Sequence, residues 1–154
     1  MKHVDIYTDG ACRGNPGRGG WAAILVYGNH KKELTGGEKV TTNNRMELCA
    51  AIFGLRGLNQ PCEVTLYSDS RYLVDAINLG WLANWKACGW KRGKEELKNT
   101  ELWQELDRLL GIHRVEFVWV QGHAGHAYNE RCDLLATTAA DAFIGVFPPY
   151  PTED

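Results

Sequence analysis

Alternating hydrophobic and polar positions mark strands in the first forty residues. Segment 4–9 alternates and is rich in β-branched and aromatic residues, which predicts a strand that runs into a glycine- and proline-containing loop at 10–20. Segment 21–27 predicts a second strand, and segment 32–40 a third strand broken by two adjacent glycines. The pattern therefore predicts an antiparallel meander, with Asp9 at the end of its first strand.

Helical spacing begins after the meander. Apolar residues recur every three or four positions from Asn44 until Pro61, which predicts an amphipathic helix. A strand at 64–69 follows and ends on Asp69, and a short helix then ends near Gly80. Beyond it the predicted elements are an inserted arm at 81–98, a helix capped by Asn99 and Thr100, a strand at 115–120, a helix near 129–143 and a proline-containing tail at 144–154.

The order of these elements predicts the fold class and the domain organisation. A meander followed by strands that return through helices gives a single α/β domain over residues 1–143, built on one mixed sheet. Ligands of such sheets gather outside the carboxyl ends of the parallel strands. Asp9 and Asp69 are expected at that edge.

Composition narrows the class of protein. A chain of 154 residues and 17.3 kDa that is 44% hydrophobic fits one compact core. No apolar run approaches the roughly 20 residues that span a bilayer, and no basic-then-apolar leader is visible, so we expect a soluble, cytoplasmic monomer without membrane contact. The five cysteines form no C-x-x-C pair and are expected as reduced thiols. The net charge of −2 neither predicts nor excludes a polyanionic partner.

Four acidic residues suggest a metal site. Each has a structural alternative: Asp69 as a helix cap, Glu47 in a capping box with Asn44, Asp133 bonded to Asn129, and Asp9 bracing the glycine loop. Together, however, two strand-end aspartates and two acids near helix starts converge on one sheet edge. Packed carboxylates repel one another unless a divalent cation neutralises them, and ligation by oxygen alone favours Mg²⁺ or Mn²⁺ over Zn²⁺.

Four ordered motifs support a family resemblance that covers the chain through about residue 143. They are YTDGACRGNPG at 7–17, TNNRMEL at 42–48, YSDS at 67–70, and VQGHAGH at 120–126 with NERCD at 129–133. In these motifs the chain resembles bacterial ribonuclease H of type 1. The resemblance implies a ribonuclease H-like fold with a five-stranded mixed sheet flanked by helices.

The resemblance also implies an activity. It is the endonucleolytic hydrolysis of the RNA strand of RNA–DNA hybrids with two Mg²⁺ ions, for which Mn²⁺ can substitute, leaving 3′-hydroxyl and 5′-phosphate ends. Asp9, Glu47, Asp69 and Asp133 then become metal-binding catalytic acids. His123 is expected to assist proton transfer or product departure.

Further residues are implied as substrate contacts. The asparagines among them are expected to read 2′-hydroxyls and base edges in the minor groove. The predicted contacts are Cys12, Asn15, Thr42, Asn43, Asn44, Arg71, Trp81, Trp85, Lys86, Lys91 and Asn99. Arg71 stands where the family pattern has an amide residue. Val40 replaces a basic residue that can help hold a DNA-strand phosphate near Thr42 and Asn99.

The arm at 81–98 is the main candidate for electrostatic binding. Five basic and two acidic side chains give it a local charge of +3, interleaved with tryptophans at 81, 85 and 90. Taken alone, such a run fits a solvated face as well as a nucleic-acid contact. The resemblance implies a basic protrusion that grips the DNA strand.

Several alternatives are weighed against this interpretation. The glycine loop joins two strands rather than opening a helix, which argues against nucleotide binding. His123, His126 and Cys132 lack the paired spacing of a zinc site, and Cys12 is more simply a spare thiol than a nucleophile. Two functional alternatives stay open: a DNA endonuclease of the same fold, which would share the acids, and a non-enzymatic hybrid-binding module, which would lose them.

Overall fold

The structure, a computed structural model, describes residues 1–121 and 126–142. These residues form a five-stranded sheet with helices on both faces and a separate two-stranded hairpin. The strands are β1 (Lys2–Gly14), β2 (Gly17–Tyr27), β3 (His30–Thr41), β4 (Cys62–Ser68), β5 (Lys91–Arg92), β6 (Glu95–Glu96) and β7 (Arg114–Trp119). The helices are α1 (Asn43–Arg56), α2 (Arg71–Asn78), α3 (Trp81–Ala87), α4 (Thr100–Leu110) and α5 (Ala127–Ala142).

The sheet has the order β3-β2-β1-β4-β7, which confirms the predicted mixed topology. Strands β1, β2 and β3 pair antiparallel, whereas β4 runs parallel to both β1 and β7. The parallel pairing of β1 with β4 ends at Tyr7 and Tyr67. Asp9 and Asp69 each follow two residues later, so both lie at the same edge of the sheet.

The loop predicted at 10–20 is wrong. β1 and β2 continue through this segment as a hairpin, and only Asn15 and Pro16 form the turn, so Asp9 lies inside β1 rather than at its end. Gly14 adopts a positive φ of 88° beside this turn, whereas other glycines of the segment serve close packing. A Cβ on Gly20 would lie 2.4 Å from a carbonyl oxygen of α5, because that helix crosses the hairpin directly above it.

The predicted break in the third strand is also wrong. β3 passes through Gly36 and Gly37 without interruption. A Cβ on Gly36 would lie 2.5 Å from the ring of Trp21, and one on Gly37 would lie 2.2 Å from the carbonyl oxygen of Gly19. Glycine is therefore required here so that a tryptophan ring and the neighbouring strand can approach the β3 backbone.

The alternation along the strands gives each face of the sheet its own core. On one face Ile6 packs with α1, α2 and α4 around fully buried residues such as Ile52 and Trp103. On the other face Tyr7 packs against α5 through Cys132 and other small residues. Burial of these apolar side chains contributes most of the stability of the fold.

Two predicted helix caps are replaced by neighbouring residues. Thr42, rather than Asn44, caps α1, since its hydroxyl accepts a hydrogen bond from the Arg45 N–H at 3.2 Å. Ser70, rather than Asp69, caps α2. The N-cap positions of both helices therefore belong to hydroxyl residues rather than to Asn44 or Asp69.

The predicted arm contains α3 and the β5–β6 hairpin. Asn99, which follows the arm, occupies the N-cap position of α4 as predicted, in a left-handed conformation with φ 59°, although its side chain makes no capping hydrogen bond. None of the helices within residues 1–121 and 126–142 is both long and apolar enough to cross a membrane. His123 and the predicted tail at 144–154 lie outside the described residues, and the domain boundary at 143 stays a prediction.

Candidate active site

Three carboxylates meet at the edge of the sheet. One ligand oxygen from each of Asp9, Glu47 and Asp69 lies within 4.8 Å of the other two. Asp9 comes from β1, Glu47 from α1, and Asp69 from the turn after β4. Asp9 and Glu47 are buried, whereas Asp69 is partly exposed, so the cluster opens to solvent on one side.

Local sequence explains why the acids come so close. A Cβ on Gly10 would lie 2.6 Å from the backbone nitrogen of Glu47, so only glycine lets α1 rest directly on β1 beside Asp9. The turn that carries Asp69 is fixed by its neighbours. The Ser70 N–H donates to the Ser68 hydroxyl at 3.0 Å, and both serines are buried.

The packing of the acids has an electrostatic cost. Burial, followed by the charges of Asp69 and Asp133, raises the pKa of Asp9 from 3.8 to about 8. Burial, followed by the charges of Asp9 and Asp69, raises the pKa of Glu47 well above its usual value. Oε1 of Glu47 is buried and has no hydrogen-bond partner among the described residues. A divalent cation would supply the missing charge and the missing partner, so this all-oxygen cluster fits a metal ion.

Asp133 approaches the cluster from the opposite face of the sheet. It lies on α5, is partly exposed, and interacts with the Asp9 carboxyl, whose pKa it helps to raise. The preceding residue anchors the helix, because the Cys132 thiol donates to the Tyr7 carbonyl oxygen at 3.2 Å. The structure thus places all four predicted acids in one neighbourhood, with Asp133 beside Asp9.

The residues predicted to face the minor groove lie on β1, in the turn after it and at the start of α1. Oδ1 of Asn15, in the β1–β2 turn, accepts a hydrogen bond from the Asn43 N–H at 3.0 Å. Asn43 and Asn44 are exposed in the first turn of α1, just before Glu47. Cys12 is half-buried in β1, where its thiol donates to backbone carbonyl groups. The Asn15–Asn43 contact thus joins the β1–β2 turn to the start of α1, the helix that carries Glu47.

The arm places aromatic and basic residues on a second surface. Tyr72, Trp81, Trp85 and Arg92 line a cleft, and the Trp85 ring meets Trp103 edge-on at 5.3 Å. Nδ2 of Asn99 donates to the Tyr72 hydroxyl at 3.2 Å, and Lys91 is exposed in β5. Lys86 pairs with Asp107 at 3.0 Å, so it has an acidic partner within the chain.

Comparison with known proteins identifies the family. A family profile described as RNase H matches residues 1–141. The Ribonuclease H of Acetivibrio thermocellus is 63% identical over 138 residues, which cover 89% of this chain and 94% of that protein. The Ribonuclease H of Syntrophus aciditrophicus is 57% identical over 153 residues, which cover 98% and 88%.

The chain belongs to the ribonuclease H family. The structure of LC9-RNase H1, a type 1 RNase H with the type 2 active-site motif, supports the same conclusion at the level of the fold. It matches with a TM-score of 0.82 at 36% identity, over 92% of this chain and 73% of that chain. The resemblance in the sequence motifs and the predicted fold are thereby confirmed.

Two positions in this chain are not indicated by its sequence patterns. Arg45 contacts Glu38 at 3.0 Å and Glu101 at 2.8 Å, which joins α1, β3 and α4. Trp119, at the end of β7, donates from its indole nitrogen to the Asp69 carbonyl oxygen at 3.2 Å. A basic residue in a helix and an aromatic residue in a strand give no pattern that distinguishes such roles, since both depend on contacts distant in sequence.

Proposed function

We propose that the chain is an endonuclease that hydrolyses the RNA strand of RNA–DNA hybrids. The observation that carries the proposal is the cluster of Asp9, Glu47 and Asp69 at one sheet edge in a chain of the ribonuclease H family. An acidic pocket alone would repel a nucleic acid. Burial and mutual repulsion raise the pKa of these carboxyl groups. Divalent cations would neutralise the carboxylates and would also offset the negative charge of a phosphodiester.

The proposed cofactor is Mg²⁺, with two ions in the working site and Mn²⁺ able to replace them. Asp9, Glu47, Asp69 and Asp133 would hold the ions through oxygen atoms, which Mg²⁺ prefers. When bound, such ions lower the pKa of a water molecule and stabilise the charge that develops on the leaving oxygen. Asp9 is the proposed central ligand because its carboxyl faces both Asp69 and Asp133.

The remaining residues are proposed to bind and orient the duplex. Asn15, Asn43 and Asn44, with Cys12 beside them, would recognise the RNA strand through its 2′-hydroxyls. Thr42 and Asn99 would hold a phosphate of the DNA strand. The arm would grip that strand further along through Trp81, Trp85, Lys86 and Lys91, and Arg71 would contact substrate near Asp69.

The reaction follows from this arrangement. Water attacks the phosphorus atom and the bond to the 3′-oxygen breaks, so the products carry a 3′-hydroxyl and a 5′-phosphate. The 2′-hydroxyl is recognised but does not attack, and no cyclic phosphate forms. His123 is proposed to assist proton transfer or product departure. We also propose that the protein is monomeric and cytoplasmic, with its domain ending near residue 143.

A panel of substrates tests the proposal. Labelled RNA–DNA hybrid, duplex DNA and duplex RNA of one sequence are each incubated with Mg²⁺ or with EDTA. We expect cleavage of the hybrid alone, on its RNA strand, and only with Mg²⁺. Cleavage of duplex DNA would favour the DNA endonuclease alternative, and metal-independent binding without cleavage would favour the non-enzymatic binding module.

A further inference from the structure

Trp119 connects two residues that flank the same helix start. The guanidinium carbon of Arg71 lies 3.9 Å from the centroid of the Trp119 ring. The indole nitrogen of the same tryptophan donates to the Asp69 carbonyl oxygen at 3.2 Å. One side chain therefore contacts both the basic residue that opens α2 and the backbone of a member of the carboxylate cluster.

The position of Trp119 is fixed by the sheet. Trp119 pairs with Ser68 in the parallel register of β4 and β7, and the Val120 N–H donates to the Ser68 carbonyl oxygen at 2.9 Å. Its backbone therefore belongs to a regular ladder, while 38% of the residue is exposed at the surface. A rigid backbone under an exposed ring makes it a platform for a neighbouring side chain.

The Arg71 guanidinium remains accessible on this platform. Its side chain is 63% exposed, and its ion pair with Asp75 is long, at 3.8 Å. Stacking on an indole restrains a guanidinium without consuming the N–H groups in its plane. Two of those N–H groups can bind two phosphate oxygens at once, and the guanidinium is positively charged. An amide side chain carries no charge.

Charge explains why a phosphate would need such a residue here. The nearby acids repel the phosphates of an approaching strand. Cations held by these acids would supply positive charge to the reacting phosphate, and the next phosphate on the same strand would need a positive partner of its own. A permanently charged arginine two residues from Asp69 offsets that repulsion at close range.

We propose that Trp119 is a positioning residue with two functions. Its ring holds the Arg71 guanidinium for a phosphate of the RNA strand next to the scissile one, and its indole N–H holds the backbone that carries Asp69. The proposal rests on the proposed function, since it names how that site engages its RNA strand. It makes Arg71 a phosphate contact rather than a reader of sugar hydroxyls or base edges.

Salt dependence and turnover separate the two functions. Hybrid affinity is measured by fluorescence anisotropy in EDTA at several salt concentrations, and kcat is measured with Mg²⁺ at saturating hybrid. Arg71→Gln should flatten the slope of log affinity against log salt by about 0.9, the value for one lost phosphate contact on duplex DNA. Trp119→Leu should flatten it equally, and the double variant should flatten it no further.

Trp119→Phe isolates the hydrogen bond. It keeps an aromatic face for Arg71 but removes the indole N–H, so the salt slope should match wild type while kcat falls about 2- to 12-fold, the range for one lost hydrogen bond. Trp119→Leu should show both defects. Circular dichroism melting of each variant confirms that it is folded before its values are compared.

Arg114→Gln is the matched control. It removes the same charge from the other end of β7, about 17 Å from Trp119 at the usual strand rise, where Arg114 is exposed and has Glu63 as its acidic neighbour at 3.9 Å. It should leave slope and kcat near wild type. An Arg71→Gln slope equal to that of Arg114→Gln, or a Trp119→Leu slope equal to wild type, would overturn the proposal. Failure of wild type to cleave hybrid would instead overturn the proposed function, while the slopes stay measurable.

Discussion

Asp9→Asn should remove activity and stabilise the metal-free protein. The pKa of Asp9 is raised from 3.8 to about 8, so the folded state holds a proton at pH 7 that the unfolded chain releases. Stability therefore falls as pH rises from 3.8 towards 8, by up to about 1.4 kcal/mol per pH unit. By pH 7 this cost reaches about 4 kcal/mol at most. Asparagine keeps the shape without the charge, so we expect a gain of about 1 to 4 kcal/mol.

Urea unfolding in EDTA at pH 7 measures this gain, followed by circular dichroism. Asp5→Asn provides the control, because Asp5 lies on the same strand, is partly exposed, and forms an ion pair with the exposed His3 at 3.1 Å; its effect should stay below about 1 kcal/mol. Added Mg²⁺ should raise the stability of wild type through ligand binding, and that of Asp9→Asn much less. Hybrid cleavage by Asp9→Asn should fall by several orders of magnitude. An Asp9→Asn protein that is no more stable than wild type, or that cleaves near the wild-type rate, would refute the electrostatic account of this cluster.

Three other predictions concern the rest of the molecule. His113 is buried, its pKa is lowered by burial, and its ring nitrogen accepts a hydrogen bond from a backbone N–H at 3.1 Å. The unfolded state therefore binds more protons at this residue near pH 6, so the contribution of His113 to the unfolding free energy should drop between pH 7.5 and 5.5, opposite to the trend from Asp9. His113→Ala should lose about 1 to 3 kcal/mol relative to wild type at pH 7.5, and this difference should shrink towards pH 5.5 in urea melts. Gly20→Ala would place its Cβ 2.4 Å from an α5 carbonyl oxygen; denaturant melts should show a loss of about 1 to 3 kcal/mol, and an unchanged midpoint would contradict the packing argument. Replacing exposed Lys91 and Lys94 by alanine should flatten the salt slope of hybrid affinity by about 0.9 per lost contact while kcat changes little. Unaltered affinity and slope would mean that this part of the arm is only a solvated face.

Much of the fold could be predicted because its signals are local. Alternating apolar residues gave the strands, helical spacing gave α1 and α4, and the order of elements gave a meander followed by parallel strands. The errors in the predicted strands came from glycine. At 10–20 and at Gly36 and Gly37, glycine was interpreted as a loop or a break, yet the structure uses it for close approach of a helix, a ring or a neighbouring strand. Sequence alone does not reveal what will pack above a strand.

In the candidate site, too, some features could be predicted from the sequence and others depend on contacts between distant residues. The acids could be predicted because the carboxyl ends of parallel strands must share an edge, which placed Asp9 beside Asp69 before any coordinates. The contacts of Trp119 and Arg45 could not, since they join elements through side chains separated by about fifty residues in the sequence. The raised pKa of Glu47 was predictable in direction from burial and from its acidic neighbours, but its buried oxygen without a partner among the described residues required the packing of α1 on β1.

Analysis of product ends tests the central claim most directly. An RNA–DNA hybrid labelled on either strand is incubated with wild type or Asp9→Asn in Mg²⁺, and the fragments are identified by mass. We predict that wild type produces RNA fragments with 3′-hydroxyl and 5′-phosphate ends and leaves the DNA strand intact, while Asp9→Asn produces almost none. Cyclic phosphate ends, cleaved DNA, or equal product from the two proteins would contradict the account.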